Sequence, residues 1–105
     1  MKQQLIKYIR KNDKTPIGTL ISFVEQDKIY IGWSLLNKKD EWERHKGMKI
    51  ATNRGYFYGD NETLAYPLAQ SIKNDFIKMA QRSKRFFKGA KLPSNIKEIL
   101  GELNA

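Results

Sequence analysis

The stretch "IGWSLLNKKDEWERHKGMKIATNRGYFYG", Ile31 to Gly59, holds both tryptophans, the single histidine, three acidic residues within four positions and a run of three aromatics. It reads as a strand running into a helix. The strand is Ile29 to Leu35, where Ile29, Ile31 and Trp33 alternate with smaller or polar neighbours. The pattern then changes. Asn37 or Asp40 offers a helix start, Asp40, Glu41 and Glu43 suit the positive N-terminal end of a helix, and Gly55 offers a stop. Asp40 followed by Glu43 has the spacing of a capping box. Gly47 falls inside this helix, where glycine costs about 1 kcal/mol relative to alanine, so it is expected where the helix presses on the sheet. Trp33 and Trp42 are both expected to be largely buried, linking the third strand to the first helix.

Before this stretch, "LIKYIR" (5–10) is β-branched and aromatic enough for a strand, and "KNDKTP" supplies turn residues. "IGTLISFV" (17–24) makes a second strand, with Ile17, Thr19, Ile21 and Phe23 on one side, joined to the third by a turn at Gln26-Asp27-Lys28. Gly18 and Gly32 lie inside strands, where glycine marks a bulge or the close approach of another backbone. After the turn "GDN", Pro67 suits the first turn of a long helix with Leu68, Ile72, Phe76, Met79 or Ala80, and Phe87 at helical spacing. Gly89 ends it. "PSNIKEILGEL" reads as a short final helix opened by Pro93 or Ser94. The expectation is an α+β fold, one domain over 1–105, with a three-stranded antiparallel meander covered on one face by three helices.

A chain of 105 residues with 40% hydrophobic residues and three prolines has the composition of one globular domain. It contains no cysteine, which excludes disulfides and thiolate metal sites and fits a reducing, cytoplasmic setting. No stretch approaches the roughly 20 apolar residues of a membrane span.

Charge is the strongest functional signal. Twenty Lys and Arg oppose 11 Asp and Glu, a net charge of +9. Between Phe76 and Lys97 there is no acidic residue, while Lys78, Arg82, Lys84, Arg85, Lys88, Lys91 and Lys97 are basic. Lys78, Arg82, Arg85 and Lys88 recur at three- and four-residue steps, which lines like charges along one side of a helix. Such a row is mildly destabilising by itself and is suited to phosphates or to an acidic protein face. A solvated helix face is the competing explanation.

A second candidate surface is "RGYFYG", Arg54 to Gly59, which is similar to the start of the base-stacking motif K/R-G-F/Y-G/A-F of RNA-recognition domains. Phe57 breaks that motif, and a β-α-β-β-α-β order cannot be drawn here. What remains is that Tyr56 or Tyr58, if exposed beside Arg54, would stack on a base; otherwise these aromatics are core. Catalysis finds little support. His45 shares a helix face with Glu41, a common spacing, and there is no serine elbow, paired-histidine metal motif or phosphate-binding glycine loop. Asp60 and Glu62 read as a solvated turn. No catalytic residue, metal or cofactor is therefore assigned.

At Pro16 to Gly18, Ile31 to Gly55 and "MAQRSKRFFK" (79–88), the chain resembles small proteins that recur in tailed-phage and prophage genomes. They share G-Y/W-S-L-x-x-x-x-D-x-F/W and a helix with G-x-x-I-A-x-x-R, matched here by Asp40, Trp42, Gly47, Ile50, Ala51 and Arg54. The resemblance implies an origin rather than a mechanism. It favours a small non-catalytic protein that binds nucleic acid, or one that inhibits a host protein or nucleoprotein complex in the manner of an anti-CRISPR, or a nucleotide sponge. On that resemblance, Asp40 would cap a helix, Trp42 would anchor on the sheet and Arg54 would meet a helix-end carbonyl.

Overall fold

The computed structural model describes residues 3–10, 14–36, 41–61 and 68–93. Three strands, β1 (Gln4–Arg10), β2 (Pro16–Glu25) and β3 (Lys28–Leu35), form an antiparallel sheet in the order β1-β2-β3. This is the expected meander. The β2–β3 turn pairs Glu25 with Lys28 across two residues, Gln26 and Asp27, at φ of 51° and 62°. Two positive φ values in a two-residue loop match the right-handed twist of the flanking strands, as in a type I′ turn.

Two α-helices follow, α1 (Arg44–Asn61) and α2 (Lys73–Phe86), with a 3-10 turn at Gln70–Ile72 leading into α2. The final helix expected from Pro93 or Ser94 onward lies outside the described residues, except that Pro93 itself is buried. The helices do not share a face of the sheet, contrary to the expected one-sided cover. Leu5, Ile9, Leu20, Ile29, Ile31 and Trp33 pack with Ile72, Phe76, Met79, Ala80 and Phe87, on the α2 side. Ile6, Ile21, Phe23 and Tyr30 pack with Met48, Ala51 and Tyr56 of α1. The sheet is therefore the middle of three layers, and β2 is buried on both faces from Gly18 to Phe23.

Helix α1 departs most from expectation. It begins at Arg44, and the Glu43 carbonyl accepts the Gly47 N–H at 3.0 Å, so Glu43 occupies the cap position expected for Asn37 or Asp40. Those two residues lie outside the described segments. Nor does the helix stop at Gly55. It continues through Tyr56, Phe57, Tyr58 and "GDN", so the aromatic run is helical.

Gly55 is where α1 touches the sheet. A Cβ on Gly55 would lie 3.2 Å from the Gly32 nitrogen, and a Cβ on Gly32 would lie 1.7 Å from the Ala51 carbonyl oxygen. Gly47, Ala51, Gly55 and Gly59 recur every four residues and so form one side of the helix. Their small size lets the helix backbone rest against β3. At one end of this contact Ser34 Oγ donates to the Gly47 carbonyl at 2.9 Å; at the other a Cβ on Gly59 would enter the Tyr30 ring.

Helix α2 begins later than a Pro67 start implies, since Leu68 and Ala69 are not helical and the α-helix opens at Lys73 after the 3-10 turn, but most of its expected apolar positions hold. Ile72, Phe76, Met79, Ala80, Ser83 and Phe87 are buried, and the Ser83 hydroxyl bonds the Ser22 hydroxyl of β2. Beyond α2, Gly89 turns the chain at φ 86°, and Lys91 docks on the outer edge of β3. There its N–H donates to the Asp27 carbonyl at 2.8 Å, and its carbonyl accepts the Ile29 N–H at 2.9 Å.

Candidate nucleic-acid interface

Because the apolar side of α2 is committed to the sheet, its basic residues are turned outward. Lys78, Arg82, Lys84, Arg85 and Lys88 are all exposed, as is Lys91 after the turn. At 100° per residue, Lys78, Arg82 and Arg85 fall within about 60° of the helix circumference and span roughly 10 Å of its length. Exposed Asn74 and Gln81 lie beside them on the outer side. Among the described residues, no acidic side chain pairs with any of these cations. The acidic residue of the helix, Asp75, is in its first turn and faces Lys7 of β1 at 3.7 Å. Lys84 and Arg85 lie in the last turn, where the negative end of the helix dipole offsets part of their mutual repulsion. That offset helps the helix tolerate the row without removing its field.

The second candidate surface is only partly exposed: Tyr58 is buried, whereas Arg54 and Tyr56 are half-buried. Tyr58 is fully buried and its ring lies 6.5 Å from Phe76, so it belongs to the core on the α2 side of the sheet. Helix α1 rides over β3, the edge strand, which lets this side chain reach past the edge. Tyr56 packs against Phe23 and Tyr30 at centroid distances of 4.9 and 5.2 Å, and its hydroxyl donates to Glu25 at 2.7 Å. The Tyr30 hydroxyl donates to Asp60 at 2.9 Å; burial and the nearby Asp60 and Glu25 carboxylates raise its pKa above the ordinary tyrosine value. Arg54 donates to the Trp33 carbonyl at 3.2 Å and lies over the indole at 5.8 Å. This carbonyl lies in a strand. Tyr58 thus belongs to the core and Arg54 and Tyr56 have partners in the sheet, while Phe57, passed over as a broken motif position, is exposed.

Trp33 is buried as expected, edge-on to Phe76 at 5.8 Å. Trp42 is not. It precedes α1, is half-buried, and meets the Tyr8 ring edge-on at 6.0 Å. With Ser34, Leu36, Gly47 and Ile50 it lines a small solvent-open cleft, rimmed by Glu41, Glu43 and Lys46. This cleft is on the α1 side of the sheet, away from the basic row. His45 is exposed near its edge. Among the described residues no three His, Asp or Glu side chains gather as metal ligands, and no helix is long and apolar enough to cross a membrane.

One residue that sequence reasoning missed is Phe86, whose ring is 56% exposed beside the basic row. Periodicity offered a signal, because Phe87 takes the core position and leaves its neighbour outside. No protein-family profile, curated protein or solved structure matches the chain.

Proposed function

We propose that this is a small, non-catalytic, cytoplasmic binding protein of phage type that holds nucleic acid against the outer side of α2. The observation that supports it is the row Lys78, Arg82 and Arg85, flanked by Lys84 and Lys88, exposed and without acidic partners among the described residues. Phosphates opposite this row would replace repulsion by attraction and release condensed counterions. Lys91 extends the same field toward the β2–β3 turn. Arg54, Tyr56 and Tyr58 have no part in it, because their side chains hold α1 to the sheet.

The test is a binding titration with mixed-sequence oligonucleotides at several salt concentrations. With about four phosphate contacts, log K should fall against log salt with a slope near −3 for single strands. The double variant Arg82→Glu, Arg85→Glu should reduce that slope to about −1 and weaken binding alike across sequences. Its melting temperature should stay within a few degrees, since the replaced side chains are exposed. Absence of binding at about 50 mM salt rules the proposal out. Retention of a stoichiometric host protein from a nuclease-treated bacterial lysate, with no oligonucleotide binding, would favour the inhibitor class instead.

A further inference from the structure

Phe86 does no packing work that accounts for its position. Its ring is 56% exposed, whereas the neighbouring Phe87 is buried in the core. The two rings meet edge-on at 5.1 Å, so the core residue braces the exposed one. Phe86 follows Arg82 by four residues, which makes the two side chains neighbours along the helix surface. An exposed aromatic ring therefore flanks a row of cations that have no acidic partner among the described residues.

We propose that α2 recognises single-stranded rather than duplex nucleic acid, with Phe86 stacking on a base while Lys78, Arg82 and Arg85 meet the phosphates. This rests on the reading of the basic row as a nucleic-acid site. In a duplex the faces of the bases are hidden in the stack, so a ring beside the phosphate-binding row has nothing to stack on. A single strand offers both groups together: phosphates for the cations, and an open π-face for the ring. Base–aromatic stacking tolerates any sequence because every base has such a face. Recognition by Phe86 should accordingly be independent of sequence.

The experiment compares labelled single strands with a hairpin duplex of the same composition, by anisotropy at about 50 mM salt, for the wild type and three variants. The wild type should bind the single strand more tightly. Phe86→Ala should weaken single-strand binding by about 5- to 100-fold and leave duplex binding unchanged. Phe86→Trp should restore the single-strand affinity. Phe57→Ala removes an exposed aromatic on the opposite layer and should change neither affinity. Thermal melting of Phe86→Ala should match the wild type, which separates a stacking effect from a folding defect. Wild-type binding that Phe86→Ala does not weaken, or weakens equally for both forms, overturns the inference and leaves the basic-row reading intact, as does a tighter complex with duplex. Failure of the wild type to bind either form overturns both.

Discussion

Thr19 shows how a single position records the demands of the layer above it. It sits on the α1 side of β2, fully buried, and its hydroxyl has no hydrogen-bond partner among the described residues. A Cβ on Gly47 would come within 3.0 Å of that hydroxyl, so the oxygen is pressed against the helix where the backbone comes nearest. A buried hydroxyl left without a partner costs on the order of 1 to 3 kcal/mol in desolvation. Thr19→Val keeps the branched shape and removes the polar atom. Chemical denaturation should show the variant more stable by about 1 kcal/mol, with an unchanged denaturant slope. A loss of stability of that size would mean that the hydroxyl finds a partner, such as an ordered water, and that its burial is compensated.

At the scale of elements, the contact between α1 and β3 decides the architecture. Its helix side is Gly47, Ala51, Gly55 and Gly59, and its strand side is Gly32. Gly32→Ala would drive a methyl group into the Ala51 carbonyl, a backbone atom that cannot rotate away. The cost should exceed the 1 to 3 kcal/mol common for overpacking, enough to detach α1 or unfold a marginal domain. Gly55→Ala is different. Its methyl group would meet the Gly32 backbone at 3.2 to 3.4 Å, a tight fit, while alanine favours the helix by about 1 kcal/mol. The two substitutions should therefore separate widely in melting temperature, with Gly55→Ala near the wild type. Equal effects would show that the helix does not rest on the strand at these points.

The same contact explains which elements were readable in the sequence. The meander was, because strand alternation and turn residues are local signals; Leu5, Ile29, Ile31 and Trp33 all took core positions. Helix α2 was readable from large apolar residues at helical spacing, Ile72, Phe76, Met79 and Phe87. Helix α1 was misread at both ends because the side it lays on the sheet is mostly glycine and alanine, which leave no apolar period, and Gly55 looks like a terminator when it is a point of contact. Two-sided burial had a signal in "IGTLISFV", a nearly continuous apolar run of the kind that strands covered on both faces require. Among site residues, the basic row was readable because charge and spacing on an amphipathic helix determine exposure. The fates of Tyr56 and Tyr58 were not, since they depend on α1 continuing past Gly55 and on which edge of the sheet it covers.

Across the whole molecule, the two outer layers differ in what they present. The α1 layer packs the Phe23, Tyr30 and Tyr56 rings together, leaves Phe57 exposed away from the basic row, and has a cleft beside Trp42 rimmed by residues of both charges. The α2 layer presents cations and one exposed ring. The account places binding on the α2 layer alone. Backbone amide NMR shifts recorded while a mixed-sequence single strand is titrated at low salt locate the contact directly. The account predicts perturbations concentrated from Lys78 to Lys91, with Phe86 among the largest, and little change in α1 or around Trp42. Perturbations centred on the Trp42 cleft or the outer side of α1, with residues 78–91 unmoved, would contradict it.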